Sequence, residues 1–313
     1  MSKPHHKEVV VGTRGSPLAL AQAEGVMARL SQLHPELDLR LKRVKTRGDI
    51  FRHVALARID GKGVFVKEIE EALLSGEIDL AVHSLKDLPT ALPRGLAIGA
   101  VPPREDPRDA LVSALGVELG DLPPGAVIGT GSLRRGAQLL AARSDLEVRE
   151  IRGNVDTRLR KVREGEYDAV VLAAAGLRRL GLASAITQYL PLEVMMPAVG
   201  QGALAVEIRE DDQETATLVR GIDDPATEAA TRAERAFLAA FGGGCAVPIA
   251  AYGAVEGERL LLKGIVASLD GQRLLRDEVV GPARHAQALG EMLAQRLLER
   301  GADEIVGEVI VER

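Results

Sequence analysis

Two stretches of the chain repeat the same order of motifs, and this repeat constrains the fold more than any other feature. Residues 9–22 read V-V-V-G-T-R-G-S-P-L-A-L-A-Q, and residues 126–138 read A-V-I-G-T-G-S-L-R-R-G-A-Q. In each copy a short apolar run typical of a β-strand precedes Gly-Thr and a serine that can cap the next helix. An Arg-Gly pair comes next in each, then G-E-I-D-L-A-V at residues 76–82 and G-E-Y-D-A-V-V at residues 165–171. Three matches in the same order predict two α/β domains of common design.

The first copy contains an insertion that the second lacks. The distance along the chain from the Arg-Gly pair to the G-E-x-D strand is 29 residues in the first copy and 13 in the second. The surplus falls at about residues 48–63 and ends in glycines around Lys62. Such an insertion is either a tolerated surface loop or a lid over a cleft, and its basic residues favour the lid.

A different pattern begins near residue 225. Residues 227–241 predict a helix, and three runs separated by turn residues predict a meander of antiparallel strands at 248–255, 259–268 and 273–280. A closing helix at roughly 283–300 and a last strand complete a small α+β domain. Earlier, residues 197–209 predict a connection carrying a strand back into the first sheet.

The composition excludes several classes of function. With no Trp, three Tyr and four Phe, the chain offers few surfaces on which nucleic-acid bases can stack. A net charge of −5 argues against a general polyanion binder. No run of 18 apolar residues is present, and the apolar run near the N-terminus is three valines, too short for a secretory signal. One unpaired cysteine fits a reducing compartment. We therefore expect a cytosolic protein with no nucleic-acid or membrane partner.

Basic residues are mostly arginine, 31 Arg against 9 Lys. A GC-rich genome or a warm habitat explains most of them, but guanidinium groups also match carboxylates and phosphates bidentately. Several arginines, together with three hydroxyl residues, lie where ligands bind in an open α/β sheet, beyond the carboxyl ends of strands and at helix N-termini. These positions are Arg14, Ser16, Thr130, Ser132, Arg134, Arg135, Arg152, Arg158, Arg178 and Arg179. They predict a large anion site in a cleft between the two repeats. No G-K-[ST] loop comes after a strand, so multiple carboxylates suit the set better than a triphosphate.

The stretch H-S-L-K-D-L-P at residues 83–89 lies directly after a predicted strand. Lys86 and Asp87 project there from a strand end, although a Lys-Asp neighbour pair is most often a solvated turn. Lys86 could form a Schiff base. Asp87 could instead oppose a cation that forms during a reaction. The spacing alone leaves both roles open.

Cys245 stands behind three glycines, in A-F-G-G-G-C-A-V-P-I at residues 240–249. A lone cysteine is most often a small buried hydrophobe. A catalytic cysteine usually has a histidine partner, and none of the six histidines pairs recognisably with it. The glycines make a loop with room for something bulky, which favours a permanent covalent anchor that needs no base at each turnover.

Motifs along most of the chain resemble those of the porphobilinogen deaminase (hydroxymethylbilane synthase) family. They run in family order from residue 12 to residue 249: G-T-R-G-S-P-L-A-L-A-Q, V-K-T-R-G-D, G-K-G-V-F-V-K-E-I-E, A-V-H-S-L-K-D-L-P, R-E-D-P-R-D-A, G-T-G-S-L-R-R, R-G-N-V-D-T-R-L, A-G-L-R-R-L-G, P-A-V-G-Q-G-A and G-G-G-C-A-V-P-I.

The resemblance implies a fold class, α/β, with two domains like type II periplasmic binding proteins and a small C-terminal α+β domain. We expect domain 1 at residues 1–104 and 201–222, domain 2 at 105–200 and domain 3 at 223–313. The implied activity joins four porphobilinogen units head to tail on a dipyrromethane primer, releases ammonia each time, and hydrolyses off linear hydroxymethylbilane. We also expect a monomer.

The same resemblance assigns roles to residues. Cys245 would hold the dipyrromethane cofactor through a thioether, and Asp87 would stabilise the cation left when ammonia departs. No metal is expected. The acetate and propionate groups of cofactor and substrate would be bound by Arg14, Ser16, Lys62, Ser84, Lys86, Thr130, Ser132, Arg134, Arg135, Arg152, Arg158, Arg179 and Gln201.

Three positions depart from the family pattern. Gly131 stands where a serine is common, Arg58 where a lysine is frequent, and Ala246 where a polar residue usually comes after the cysteine. Two other classes compete with the transferase. A solute receptor or ligand-sensing module would share the two-lobed architecture but has no use for Cys245, and a Schiff-base enzyme would instead use Lys86.

Overall fold

A computed structural model describes residues 7–46, 66–242 and 247–311. The chain divides into two compact units. Unit 1 comprises residues 1–104 and 203–228, and unit 2 comprises residues 105–202 and 229–313. The three-domain division expected from the sequence stays a prediction. No helix in the described ranges combines the length and apolar character that crossing a membrane requires.

The strands are, in chain order, β1 (Lys7–Arg14), β2 (Leu37–Val44), β3 (Leu80–Ser84), β4 (Leu96–Ala100), β5 (Asp109–Ser113), β6 (Val127–Gly129), β7 (Glu147–Arg149), β8 (Ala169–Ala173), β9 (Gln188–Tyr189), β10 (Leu204–Arg209), β11 (Ile249–Glu256), β12 (Arg259–Ala267) and β13 (Leu274–Pro282). The α-helices are α1 (Pro17–Leu33), α2 (Lys67–Leu74), α3 (Leu133–Ala142), α4 (Val155–Arg163), α5 (Ala174–Arg179), α6 (Gln213–Val219), α7 (Pro225–Ala240), α8 (Ala286–Leu298) and α9 (Ala302–Val311).

Unit 1 contains a five-stranded sheet in the order β2-β1-β3-β10-β4. Strand β1 pairs in parallel with β2 and β3, whereas β10 is antiparallel to both of its neighbours. Apolar residues such as Val11 and Leu80, which pair across β1 and β3, are fully buried, and Leu30 of α1 packs on the same cluster. Strand β10 lies within residues 197–209, so the predicted return of the chain into the first sheet is confirmed.

Unit 2 repeats this design in the sheet β7-β6-β8-β5-β9. Strand β6 pairs in parallel with β7 and β8, and β5 is antiparallel to β8. In each sheet the fourth strand in spatial order therefore runs against the third. The predicted fold class, two α/β lobes of common design with a small C-terminal part, is confirmed.

The repeated G-E-x-D sequence forms the same turn in both lobes. Gly76 and Gly165 have φ angles of 74° and 76°, values that favour glycine. The aspartate at the end of the sequence accepts a backbone N–H from the neighbouring parallel strand, β1 in unit 1 and β6 in unit 2. Asp79 Oδ2 lies 2.8 Å from the nitrogen of Val10, and Asp168 Oδ2 lies 2.7 Å from that of Val127. This contact sets the entry into β3 and β8.

The C-terminal part of unit 2 is the three-stranded antiparallel sheet β11-β12-β13, covered by helices. Phe237 of α7 and Leu293 of α8 are fully buried against it. A Cβ at Gly264 of β12 would lie 2.8 Å from the Phe237 ring, so the absence of a side chain lets the helix approach the sheet. The predicted helix and three-stranded meander are confirmed.

The last strand predicted for this part is wrong, because residues 302–311 form helix α9. Ala302, Ile305 and Val309 are buried at spacings of three and four residues, which is the period of a helix face. Three valines and two isoleucines in this segment favour a strand by propensity, but packing of one face overrides that preference.

Candidate functional site

In unit 1, the predicted site residues gather at the carboxyl ends of two neighbouring parallel strands. Arg14 is the last residue of β1 and Ser84 the last of β3. Ser16 caps α1, since its Oγ accepts the N–H of Ala19 at 3.2 Å. The hydroxyl of Ser84 accepts an N–H from Gln22 of the same helix at 2.8 Å. The loop after β1 and the end of β3 are thereby joined through α1.

Lys86 and Asp87 lie in a short 3₁₀ turn, Leu85–Asp87, directly after β3. Leu85 and Leu88 on either side of them are buried, and the N–H of Leu85 donates to the carbonyl of Ala203 at 3.1 Å. Two apolar anchors therefore hold the turn while the Asp87 side chain is exposed and Lys86 half-buried. A carboxylate presented in this way can accept N–H groups or oppose a cation.

In unit 2, the second copy of the strand–Ser–helix junction carries Thr130 and Ser132. The Thr130 hydroxyl is buried and accepts the N–H of Ser132 at 3.1 Å. Ser132 in turn caps α3 by accepting the N–H of Arg135. This junction directs the side chains of Arg134 and Arg135, in the first turn of α3, toward the sheet.

Arg134 and Arg135 are buried and meet Asp109, the first residue of β5, which is fully buried. Asp109 Oδ1 accepts Nε and Nη2 of Arg135 at 3.0 and 2.7 Å, and Oδ2 accepts Nη1 of Arg134 at 2.7 Å. The amide of Gln201 adds a fourth donor, 3.1 Å from Oδ1. Burial alone would raise the pKa of Asp109, but the charges of Arg134 and Arg135 outweigh it and hold that pKa well below its usual range.

Arg158 of α4 is close enough to Arg135 for the charge of Arg135 to act on it. Its Nε donates to the carbonyl of Gly153 at 2.9 Å, and no ion pair to it occurs within residues 66–242 or 247–309. Burial first, and then the charge of Arg135, lower the pKa of Arg158 to about 10. Arg134 and Arg135 thus share one carboxylate, and Arg158 adds a third positive charge close enough to act on Arg135, so the region carries an excess of positive charge that an anionic ligand would neutralise.

The remaining arginines of the set already have protein partners. Arg152, half-buried, pairs with Glu150 at 2.6 Å, and Arg178 pairs with Glu105 at 2.8 Å. Arg179 donates from Nη2 to the carbonyl of Gly202 at 2.6 Å. These three side chains lie within the same unit as Asp109.

The connection that carries Gln201 is tightly fitted. Gln201 is fully buried and donates to the carbonyl of Pro107 at 2.8 Å as well as to Asp109. Gly202 has a φ of 88°, and a Cβ there would lie 2.3 Å from the carbonyl oxygen of Glu105. Only glycine fits at this position, so the G-Q-G sequence holds the amide of Gln201 against the start of β5.

Cys245, Lys62 and the insertion at about residues 48–63 lie outside the described residues, so their predicted roles stay predictions. Among the residues that are described, no group of three or more His, Asp or Glu side chains is arranged to hold a metal ion.

Sequence reasoning missed Asp109. The signal was present, because an aspartate opens the apolar run D-A-L-V within R-E-D-P-R-D-A, and a carboxylate at the start of a buried strand needs a charged partner. Nothing in the linear sequence identifies that partner, since Arg134 and Arg135 lie 25 and 26 residues away.

Solved structures with a similar arrangement include a YaeC-family lipoprotein from Enterococcus faecalis V583, with a TM-score of 0.42 and 16% identity over 69% of this chain and 90% of that chain. The periplasmic aliphatic sulphonate binding protein SsuA from Escherichia coli gives a TM-score of 0.39 and 13% identity over 77% of this chain and 72% of that chain. At these scores the likeness carries no inference about function.

Curated relatives are far more similar. A porphobilinogen deaminase of Desulforudis audaxviator is 55% identical over 97% of this chain and 98% of its own length. The enzymes of that name from Syntrophotalea carbinolica and Moorella thermoacetica are 53% and 54% identical, each covering at least 94% of both chains. The family description "Porphobilinogen deaminase, dipyromethane cofactor binding domain" matches residues 9–217, and "Porphobilinogen deaminase, C-terminal domain" matches residues 229–299. The chain belongs to the porphobilinogen deaminase family.

Proposed function

We propose that the residues at the two sheet edges carry out the reaction of this family, with Asp87 in unit 1 acting on the reacting atoms and the guanidinium groups of unit 2 binding carboxylates. The predicted family, activity and cofactor class are confirmed by the family and relative matches. The chain is a transferase of tetrapyrrole synthesis that condenses four porphobilinogen units on a dipyrromethane primer, with loss of ammonia, and releases linear hydroxymethylbilane.

The observation that carries the proposal is the unequal charge count in unit 2. Arg134 and Arg135 pair with a single carboxylate, Asp109, and the pKa of the neighbouring Arg158 is lowered because burial and the charge of Arg135 oppose its charge. Each pyrrole of primer and product carries two carboxylates, so ligands of this chemistry supply the missing negative charge. The donor set therefore fits the dipyrromethane cofactor.

When bound, dipyrromethane supplies the terminal pyrrole carbon to which the first substrate is joined. Arg134, Arg135 and Arg158 bind the acetate and propionate groups and orient the growing chain. The other predicted carboxylate-binding positions extend this set: Arg14, Ser16, Lys62, Ser84, Lys86, Thr130, Ser132, Arg152, Arg179 and Gln201.

Asp87 acts at the bond that breaks. Loss of ammonia leaves a cation on the substrate pyrrole, and a nearby carboxylate stabilises that charge more in the transition state than in the ground state. The exposed position of Asp87 between two buried leucines supports this role, because the turn is anchored while the carboxylate stays accessible to a ligand. Cys245 attaches the cofactor through a thioether.

The experiment is the intact mass of the purified chain. We expect an excess equal to one dipyrromethane in the wild type and none in Cys245→Ala, with Cys245→Ser as a control that keeps the size and polarity of the side chain. A wild-type protein that is active at its bare sequence mass would contradict the attachment. A monomeric state and a cytoplasmic location remain part of the proposal, and sedimentation velocity tests the first.

A further inference from the structure

We propose that Asp109 is the positioning residue of the carboxylate-binding site, holding the guanidinium groups of Arg134 and Arg135 in the orientation in which they receive a ligand carboxylate. The inference rests on the proposed function of this arginine set. It assigns to Asp109 a role in substrate binding although Asp109 itself does not touch the ligand.

The backbone of Asp109 is held within the sheet by hydrogen bonds and strand pairing. It is fully buried, its carbonyl accepts the N–H of Leu190 at 2.9 Å, and its backbone pairs with Ala173 of β8. Strand β5 lies inside the sheet, with β8 on one side and β9 on the other. A carboxylate fixed in this way can serve as a reference point for flexible arginine side chains.

Most of the acceptor capacity of Asp109 is used by protein donors. Its two oxygens accept four N–H groups, three from the arginines and one from Gln201. Oδ1 accepts three of these groups and Oδ2 accepts one, and because the side chain is fully buried, the remaining lone pair of Oδ2 is not open to a ligand. Asp109 therefore acts through its neighbours.

The contacts leave part of each guanidinium for another partner. Asp109 takes the Nε–Nη2 edge of Arg135, so Nη1 of Arg135 is not engaged by it. Arg134 uses Nη1 for both Asp109 and the carbonyl of Met196, the latter at 2.7 Å, and keeps Nη2. Because planar guanidinium groups bind carboxylates through defined edges, fixing one edge also fixes the direction of the others.

Asp109 compensates one of the three positive charges and leaves an excess. A second carboxylate at this point would neutralise the arginines and compete with the ligand. If no carboxylate were present, the guanidinium groups would be buried without a counter-charge. One fixed carboxylate orients Arg134 and Arg135, and the further charge of Arg158, which acts on Arg135, preserves attraction for an anion.

The test is Asp109→Asn in the full-length protein. The substitution keeps the shape but removes the charge and turns one oxygen into a donor facing a guanidinium. We expect the KM for porphobilinogen to rise about tenfold while kcat falls less, since tenfold corresponds to a modest loss of binding free energy. We also expect a smaller fraction of the purified protein to carry the cofactor mass. A purely structural role would lower the melting temperature and the active fraction without moving KM.

Asp168→Asn is the matched control. Asp168 lies in the same unit and its carboxylate accepts only a backbone N–H, that of Val127, in the contacts of the described chain. This variant is expected to lose stability and keep the wild-type KM.

A second variant, Asp109→Glu, keeps the charge and shifts the carboxylate by one methylene. It is expected to attach the cofactor and to raise KM several-fold, because the guanidinium groups are displaced. Wild-type KM in either Asp109 variant overturns the inference, and so does failure of both to fold. A wild-type protein without the mass excess or turnover would instead defeat the proposed function, so the two failures are distinguishable.

Discussion

The two lobes share one backbone pattern but differ in the segment directly after the central strand of each sheet. In unit 1, β3 leads into a short turn that presents Lys86 and Asp87. In unit 2, β8 leads into helix α5, whose first residues Ala174, Ala175 and Gly176 are small and buried. The duplicated scaffold thus places a carboxylate in one lobe and excludes charge at the corresponding position of the other.

The lobes also differ in the hydrogen-bond partners of their buried carboxylates. In unit 2, Asp109 is satisfied by four donors. In unit 1, Glu207 is fully buried and its Oε2 lies 3.0 Å from His83 Nε2, without the alignment of a hydrogen bond within the described residues. Glu70 of α2 adds a second acid, and burial first, then the charge of Glu207, raises the pKa of Glu70. A strand–helix scaffold can therefore be duplicated while its polar interior is not.

The largest expected effect separates chemistry in unit 1 from binding in unit 2. Asp87→Ala should retain the fold and lower kcat about a thousandfold or more, because the nascent cation loses its counter-charge. Steady-state kinetics with porphobilinogen, alongside a thermal melt, measures this. Near-normal turnover would end the assignment of Asp87 and remove the proposed difference between the lobes.

In unit 2, Arg158→Gln should act mainly on binding. We expect KM to rise about tenfold with a smaller change in kcat, since the side chain meets carboxylates rather than the breaking bond. Arg160→Gln is the control on the same helix, because Arg160 is exposed and pairs with Glu164. A fall in kcat alone in the Arg158 variant would contradict the division of roles.

The repeated turn offers a direct test of equivalence. Asp79→Asn and Asp168→Asn each weaken one carboxylate–backbone hydrogen bond at matching positions, and Asp79→Asn also removes an ion pair with Arg209 at 3.3 Å. Each should lower the free energy of unfolding by about 1 kcal/mol through the lost hydrogen bond, and the loss for Asp79→Asn should be slightly larger because its ion pair with Arg209 is also lost. Denaturant unfolding measures both, and a loss confined to one variant would show that the turns are not equivalent.

The smallest effect concerns pH in unit 1. A carboxyl whose folded pKa is raised binds its proton more tightly in the folded state, so its contribution to stability is fully present below the unfolded pKa near 4.5 and is lost as the pH rises through the higher folded value. Glu70→Gln should therefore raise the melting temperature at pH 7, by about 1–2 °C, and change it little at pH 4.

The exposed neighbour Glu71→Gln is the control for this comparison and should leave the melting temperature nearly unchanged at both pH values. The pH dependence of the contribution of Asp109 to stability has the opposite sign. The folded pKa of Asp109 is depressed, so its stabilisation is present above the unfolded pKa and is lost as the pH falls through the folded value. A higher melting temperature for Glu70→Gln at pH 4 than at pH 7, relative to wild type, would contradict the sign.

The sequence predicted most of the architecture because the repeat contains its own local signals. The G-E-x-D turns and the helix caps Ser16 and Ser132 are decided by residues close in the chain. The apolar run of the return strand in residues 197–209 is also a local signal, although its pairing with β3 joins residues that are far apart in the chain. The final helix is the exception, because Val and Ile favour strands locally, whereas the burial of Ala302, Ile305 and Val309 depends on the sheet and helix they pack against.

By itself, the amino-acid sequence determined the duplicated lobes, the family, and a set of cationic and hydroxyl residues beyond strand ends. Only the tertiary structure decided which of those residues act together. Asp109 meets Arg134, Arg135 and Gln201 because β5 runs antiparallel beside β8 and brings its first residue to the N-terminus of α3. Periodicity and capping are properties of neighbouring residues, but the partner of a buried charge is chosen by which strands lie side by side.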